Sequence, residues 1–145
     1  MTKSILFICT GNYYRSRYAE MYFNVLVSEL NLDWIATSRG LAIEFNSGNV
    51  GPIAPRVLER LAKNGIILDS NIRYPVKLVE DDLKTADLVI ALFEPEHRPL
   101  MQNRFPEWTD RITYWQVADL DLLDSQTAFS IIEQNMADLL KNDLS

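Results

Sequence analysis

The sequence predicts a single α/β domain: a four-stranded parallel sheet with helices on both faces and an anion-binding loop after the first strand. Three observations lead there. Apolar strand-like runs alternate with amphipathic segments along all 145 residues, the pattern of a parallel sheet covered on both sides. The first run, Ile5-Leu6-Phe7-Ile8, has no polar alternation, as a central strand buried on both faces requires. A short loop, Cys9-Thr10-Gly11-Asn12-Tyr13-Tyr14-Arg15-Ser16, follows it and leads into a helix, so backbone N–H groups and the positive helix end converge on one spot. No repeat, low-complexity tract or linker divides the chain, so residues 1–145 read as one domain.

The elements follow in order. Ile5 to Cys9 is the first strand. Ser16 stands where an N-cap or first-turn residue belongs, and Ala19, Tyr22, Phe23, Leu26 and Leu30 recur at helical spacing over about four turns. Trp34 to Ser38 is a short second strand, and Arg39 to Gly51 a loop. Pro52 and Pro55 precede a second helix with Val57, Leu58, Leu61 and Ala62 on its apolar face and Gly65 as C-cap. Ile66 to Lys77 reads as irregular. Leu78 to Thr85 reads as a short helix, with Glu80-Asp81-Asp82 as its solvated start.

Ala86 to Phe93 is the clearest strand after the first. Pro95 and Pro99 confine the next helix to about Pro95–Arg104. Arg111 to Trp115 is the fourth strand and Gln116 to Asp124 a loop. From Ser125 the chain is helical, with Ala128, Ile132, Met136, Leu139 and Leu140 on one face and Asp124 or Ser125 as cap. With right-handed crossovers, ligands lie beyond the carboxyl ends of such strands. The Cys9 loop and the loop from Gln116 are therefore expected over one pocket.

Bulk properties narrow the function. The net charge of −6 argues against a nucleic-acid partner and means that any anion site must be made locally, with Arg15, Arg17 and Arg39 as candidates. The lone cysteine excludes an internal disulfide framework and a multi-cysteine metal site. The first residues lack the pattern of a signal peptide, and no run approaches the roughly 20 apolar residues of a membrane span. A soluble cytoplasmic protein without a membrane partner is the expectation. Oligomeric state is not legible.

Cys9 and Arg15 form a C-x5-R loop. Backbone donors across that span can wrap three phosphoryl oxygens, while Arg15 closes the ring with a planar fork. Thr10, Gly11, Asn12, Tyr13, Tyr14, Arg15 and Ser16 are thus the candidate phosphate-binding residues. Gly11 permits close approach or positive φ. Asn12 tolerates the left-handed region, and its amide can brace the loop. Ser16 is placed to donate to the Cys9 sulfur. Amide dipoles and a guanidinium favour a thiolate, so Cys9 is the candidate nucleophile. Displacing an alkoxide or phenoxide also needs a proton donor. Asp119 is the leading candidate, with Asp121 and Asp124 as neighbours that compete. His97, in a polar stretch between prolines, reads as a surface residue. Trp34, Trp108 and Trp115 read as core or lid.

The stretch Ile8-Cys9-Thr10-Gly11-Asn12-Tyr13-Tyr14-Arg15-Ser16-Arg17, with Ala19-Glu20 beyond it, resembles the low-molecular-weight protein tyrosine phosphatase family, whose loop reads roughly V-C-x-G-N-x-C-R-S-P. Thr37-Ser38-Arg39-Gly40 resembles the family's second strand ending, which implies Ser38 as a loop-bracing serine alongside Asn12 and Ser16. Asp87 to Phe93 is similar to its third strand, and Asp119 aligns with its general acid. The resemblance implies a two-step phosphomonoester hydrolysis through a cysteinyl-phosphate on Cys9. Arg15 binds phosphate, Asp119 is acid then base, and no cofactor or metal takes part. The implied substrate is a phosphotyrosine protein or a small aryl phosphate.

Three departures stand out. Tyr14 replaces the family's second loop cysteine, so no intraloop disulfide can form. Arg17 replaces a proline. Leu120, Leu122 and Leu123 replace the proline and aromatic pair after the acid, leaving Tyr13 and Phe45 as candidate aromatic walls. Competing readings are an arsenate reductase-like enzyme using an external thiol, a phosphocysteine carrier, a flavodoxin-like electron carrier and a non-catalytic phosphopeptide-binding module.

Overall fold

A computed structural model describes residues 2–45, 48–68, 71–120, 122–142 and 144, apart from the side chain of residue 45. Strand β1 (Lys3–Cys9) runs between β2 (Trp34–Gly40) and β3 (Leu88–Ala91), and β4 (Thr113–Tyr114) follows at the edge, in the order β2-β1-β3-β4 with every pair parallel. The four parallel strands are those expected. The edge strand is shorter than Arg111–Trp115, because only Thr113 and Tyr114 pair in register with β3.

β1 shows why an unbroken apolar run was needed. Successive strand residues face opposite sides. Ile5, Phe7 and Cys9 join one core with Ala19, Phe23 and Val27 of α1 (Arg15–Glu29), Val57 and Leu61 of α2 (Pro55–Lys63), and Phe129, Ile132 and Met136 of α5 (Ser125–Asn142). Leu6 and Ile8 face the other side, against Leu83 of α3 (Glu80–Thr85) and Met101 of α4 (Glu94–Arg104). Each fully buried side chain of this size contributes about 1.5–3 kcal/mol.

Helix boundaries depart from the sequence reading in small ways. Tyr14 is the N-cap of α1, and Ser16 lies fully buried in the first turn, one of the two places expected for it. The buried face of α1 carries Tyr18 and Val27, while Leu30 is exposed. Asn64, not Gly65, is the C-cap of α2, and Gly65 follows it in the left-handed region with φ +79°. Asp124 caps α5, accepting the Thr127 amide at 3.0 Å and the Thr127 hydroxyl at 2.9 Å. Among the described residues no helix is long and apolar enough to cross a membrane.

The order of strands makes a crevice. The chain goes from β1 outward to β2, then returns to the other side of β1 as β3. The carboxyl ends of β1 and β3 therefore flank the switch point where ligands bind in such sheets.

Candidate active site

The loop leaving β1 is built around Asn12. Its φ of 52° places the left-handed turn on Asn12 rather than Gly11, at modest cost for an asparagine. That turn aims the Asn12 amide back at the Cys9 sulfur, 3.3 Å away. The Asn12 side chain is fully used. Nδ2 donates to Ser16 Oγ and to Ser38 Oγ, both at 2.9 Å, and Oδ1 accepts from Arg73 Nη1 and the Val76 amide, both at 3.0 Å. Since Ser16 Oγ already accepts from Asn12, its own proton is available to the Cys9 sulfur 2.9 Å away.

A second layer holds this brace. Ser38 donates to Glu20, and Arg73 Nη2 donates to Glu20 at 2.9 Å and to the Ser38 hydroxyl and carbonyl at 3.0 Å. The loop also lies directly on the end of β2. Leu41 and Ala42 amides donate to the Cys9 and Thr10 carbonyls at 2.9 Å. Gly40 permits this approach, since a Cβ there would lie 2.4 Å from Ile43 Cγ2 and 2.9 Å from the Thr10 carbonyl oxygen.

Arg15 closes the loop and is nearly fully buried. Nη1 donates to the Val117 carbonyl at 3.0 Å and Nη2 to Glu96 Oε2 at 2.9 Å. Asp119 Oδ2 lies 3.7 Å from Nη2, with its side chain 44% exposed. Burial opposes the Arg15 charge, but its interactions with Cys9, Glu96 and Asp119 outweigh it and raise the guanidinium pKa. Cys9, Thr10, Gly11, Tyr13, Tyr14, Arg15 and Asp119 line one cleft of about 180 Å³. A nucleophile, an anion fork and a carboxylate so arranged can support in-line displacement at phosphorus.

Other candidates fall elsewhere. Arg17 is fully buried and donates to the Pro52 and Arg73 carbonyls, at 2.8 and 3.0 Å. Burial first, then Arg73, pushes its pKa down to about 10, and it does not line the cleft. Arg39 bonds Thr37 and the Ser38 carbonyl and pairs with Asp82 at 3.3 Å. Neither arginine serves the anion site. Asp124 is spent as a helix cap. Asp121 and the side chain of Phe45 lie outside the described residues. Tyr13 stands on the cleft wall with its hydroxyl donating to the Val50 carbonyl at 2.6 Å. The ring of Tyr14 meets Phe129 edge-on at 5.4 Å, and burial raises its phenol to about 12.

His97 is the main correction. It is completely buried, not on the surface. Its Nδ1 accepts the Phe93 amide at 2.9 Å, which leaves the ring proton on Nε2, 3.2 Å from both Thr10 Oγ1 and Glu96 Oε2. Burial lowers its pKa. Glu96, Arg73 and Arg56, the last lining the cleft, were all missed by sequence reasoning. Glu96 lies between prolines in a stretch that reads as surface, and Arg73 lies in a segment without periodicity.

A larger cleft of about 700 Å³ opens at the amino ends of the strands, among Lys3, Trp34, Asp87, Trp115 and Asp138. It holds no cysteine or arginine, so size does not mark the chemistry here. Among the described residues, no three His, Cys, Asp or Glu side chains gather as a metal ion would need.

Residues 4–141 match the family model described as low molecular weight phosphotyrosine protein phosphatase. The chain is 32% identical over 108 residues to the protein-arginine-phosphatase of Bacillus subtilis, covering 74% of this chain and 67% of that one. It is 31% identical over 102 residues to the low molecular weight phosphotyrosine protein phosphatase of Sus scrofa, covering 69% of this chain and 61% of that one. The crystal structure of the low molecular weight protein tyrosine phosphatase from T. tengcongensis superposes with a TM-score of 0.77 at 28% identity, over 99% of this chain and 100% of the other.

Proposed function

The chain belongs to the low molecular weight phosphotyrosine protein phosphatase family, and on that premise we propose that it hydrolyses phosphotyrosine side chains or small aryl phosphates through a cysteinyl-phosphate. The Cys9 sulfur attacks phosphorus in line. The S–P bond forms as the P–O bond to the leaving group breaks. Arg15 and the loop amides hold the equatorial oxygens as charge develops on them. Asp119 gives its proton to the departing oxygen. It then takes a proton from the water that cleaves the S–P bond, releasing inorganic phosphate and restoring the thiolate. Asn12, Ser16 and Ser38 keep the loop in shape throughout.

The observation that carries this reading is the meeting of Cys9, Arg15 and Asp119 around one cleft. The two hydrogen bonds received by the Cys9 sulfur suit both an attacking and a leaving thiolate. Turnover of p-nitrophenyl phosphate, unchanged by a chelator and abolished in Cys9→Ser, tests the proposal. Mass detection of phosphate on Cys9 after acid quench tests the intermediate. Protein that releases no phosphate, or retains turnover without Cys9, overturns it.

A phosphoarginine side chain is the second reading, since one of the matched relatives is a protein-arginine-phosphatase. The Tyr13 ring on the cleft wall favours an aromatic leaving group. Relative kcat/KM on phosphotyrosine and phosphoarginine peptides of one sequence separates the two.

A further inference from the structure

Behind the loop, outside the residues that line the cleft, one carboxylate oxygen gathers three donors. Glu96 Oε2 accepts from Arg15 Nη2 at 2.9 Å and from the Thr10 hydroxyl, and lies 3.2 Å from His97 Nε2. These partners come from both ends of the anion loop, Thr10 beside the nucleophile and Arg15 at the close. Glu96 itself stands in the first turn of α4, just after β3, where a helix amino terminus favours negative charge. We propose that Glu96, oriented by His97, is the positioning residue that fixes Arg15 and Thr10 for phosphoryl capture. This rests on the phosphatase reading of the same loop.

The geometry explains how. A guanidinium on a flexible stem has several orientations open to it, and each must be lost on binding. Arg15 is tied at two different nitrogens, Nη1 to Val117 and Nη2 to Glu96. Two anchors on separate nitrogens fix its plane and leave its remaining N–H groups for phosphoryl oxygens. The Thr10 hydroxyl is held by the same oxygen, so the first loop amide after Cys9 is set along with the fork. His97 supplies the reference. Its ring is locked by the Phe93 amide at the N-cap of α4, just past β3, so the clamp is referred to the start of that helix. Glu96 does not line the cleft, so it acts through Arg15 and Thr10.

The test uses protection of Cys9 from iodoacetamide, a neutral probe of the sulfur, by inorganic phosphate. In Glu96→Ala the phosphate concentration needed for half-protection rises about tenfold or more, the scale expected when a charge-assisted anchor is lost and a reacting group is misplaced. The unprotected alkylation rate stays within about threefold, because the bonds to sulfur come from Ser16 and Asn12. Glu96→Gln, which keeps the shape and loses the charge, falls between, at about threefold to tenfold weaker protection. A Gln variant with the wild-type protection constant overturns the clamp. So does loss of unprotected alkylation in parallel with protection, which is the mark of a loop that has merely unravelled. Because protection needs no turnover, wild-type protein that phosphate fails to protect sinks the clamp, whereas protein that is protected but inactive sinks the hydrolase reading alone.

Discussion

Asp119 Oδ2 lies 3.7 Å from Nη2 of Arg15, although one residue follows β4 and the other follows β1. The Leu120 amide donates to the opposite oxygen, Oδ1, at 2.8 Å. The carboxylate is thus anchored by one oxygen and turns the other toward the fork that would hold phosphate. With nearly half its surface open, it can exchange a proton with water between steps. Asp119→Ala should therefore slow poor leaving groups far more than good ones. A loss of about 10²–10⁴ is expected for an alkyl or unsubstituted phenyl phosphate, and a much smaller one for p-nitrophenyl phosphate. Measuring kcat across a leaving-group series checks this, and uniform slowing would assign the acid elsewhere.

Ser16 offers a narrower test. Its oxygen accepts from Asn12 and its proton is left for sulfur, at 2.9 Å on each side. A hydrogen bond to a charged group contributes about 1.5–3 kcal/mol. Ser16→Ala should then lower kcat by roughly tenfold or more and slow iodoacetamide alkylation of Cys9 at neutral pH. An alanine variant with wild-type alkylation would show that the hydroxyl does not serve the sulfur.

Among the described residues, the Arg73 side chain donates five hydrogen bonds that stitch Asn12, Ser38, Glu20 and the neighbouring Tyr74 carbonyl together. Lysine cannot reproduce a planar fork spread over that many acceptors. Arg73→Lys should cost about 1–3 kcal/mol of stability, the penalty for leaving polar partners unsatisfied, and should reduce kcat more than KM because Asn12 shapes the loop around the nucleophile. Urea unfolding with parallel kinetics checks both. Full activity at wild-type stability would leave the brace to Ser38 alone.

What could be read before the structure follows from locality. Cys9 to Ser16 is one turn between a strand and a helix, so spacing alone placed the sulfur, the fork and the Ser16 hydroxyl together. The loop that carries Asp119 was legible because parallel sheets gather their loops at one end, while the choice of Asp119 over Asp121 and Asp124 came chiefly from the family resemblance. Arg17 was misjudged because nearness in sequence is not nearness in space. At about 100° per residue it points roughly 200° around the helix from Arg15, into the gap between Pro52 and Arg73. Glu96 and His97 looked like a polar surface run. Only the placement of β3 beside β1 brings the start of α4 behind the anion loop, and nothing in Glu94-Pro95-Glu96-His97 announces that pairing.

The burial of His97 sets a pH dependence of its own. Its pKa in the folded protein is lowered, chiefly by burial. The unfolded chain takes up this proton near pH 6.5, whereas the folded protein does so only at lower pH. Stability must therefore fall as pH drops below about 6.5 and level off once the folded value is passed. Glu96 acts in a lower window. Burial alone would raise its pKa, but hydrogen bonds from His97, Arg15 and Thr10 outweigh that and hold it well below the carboxylate range. What it contributes is present above about pH 4.3 and lost as pH falls further. Protonating His97 would also remove the lone pair that accepts the Phe93 amide, so both anchors of the clamp loosen from the acid side. His97→Gln, which can still accept from Phe93 and donate toward Thr10, should flatten the slope of the urea midpoint between about pH 6.5 and 5 while leaving the steeper fall below pH 4.3. An unaltered slope in that variant would mean that the upper window belongs to a different group, since His97 is the protein's only histidine.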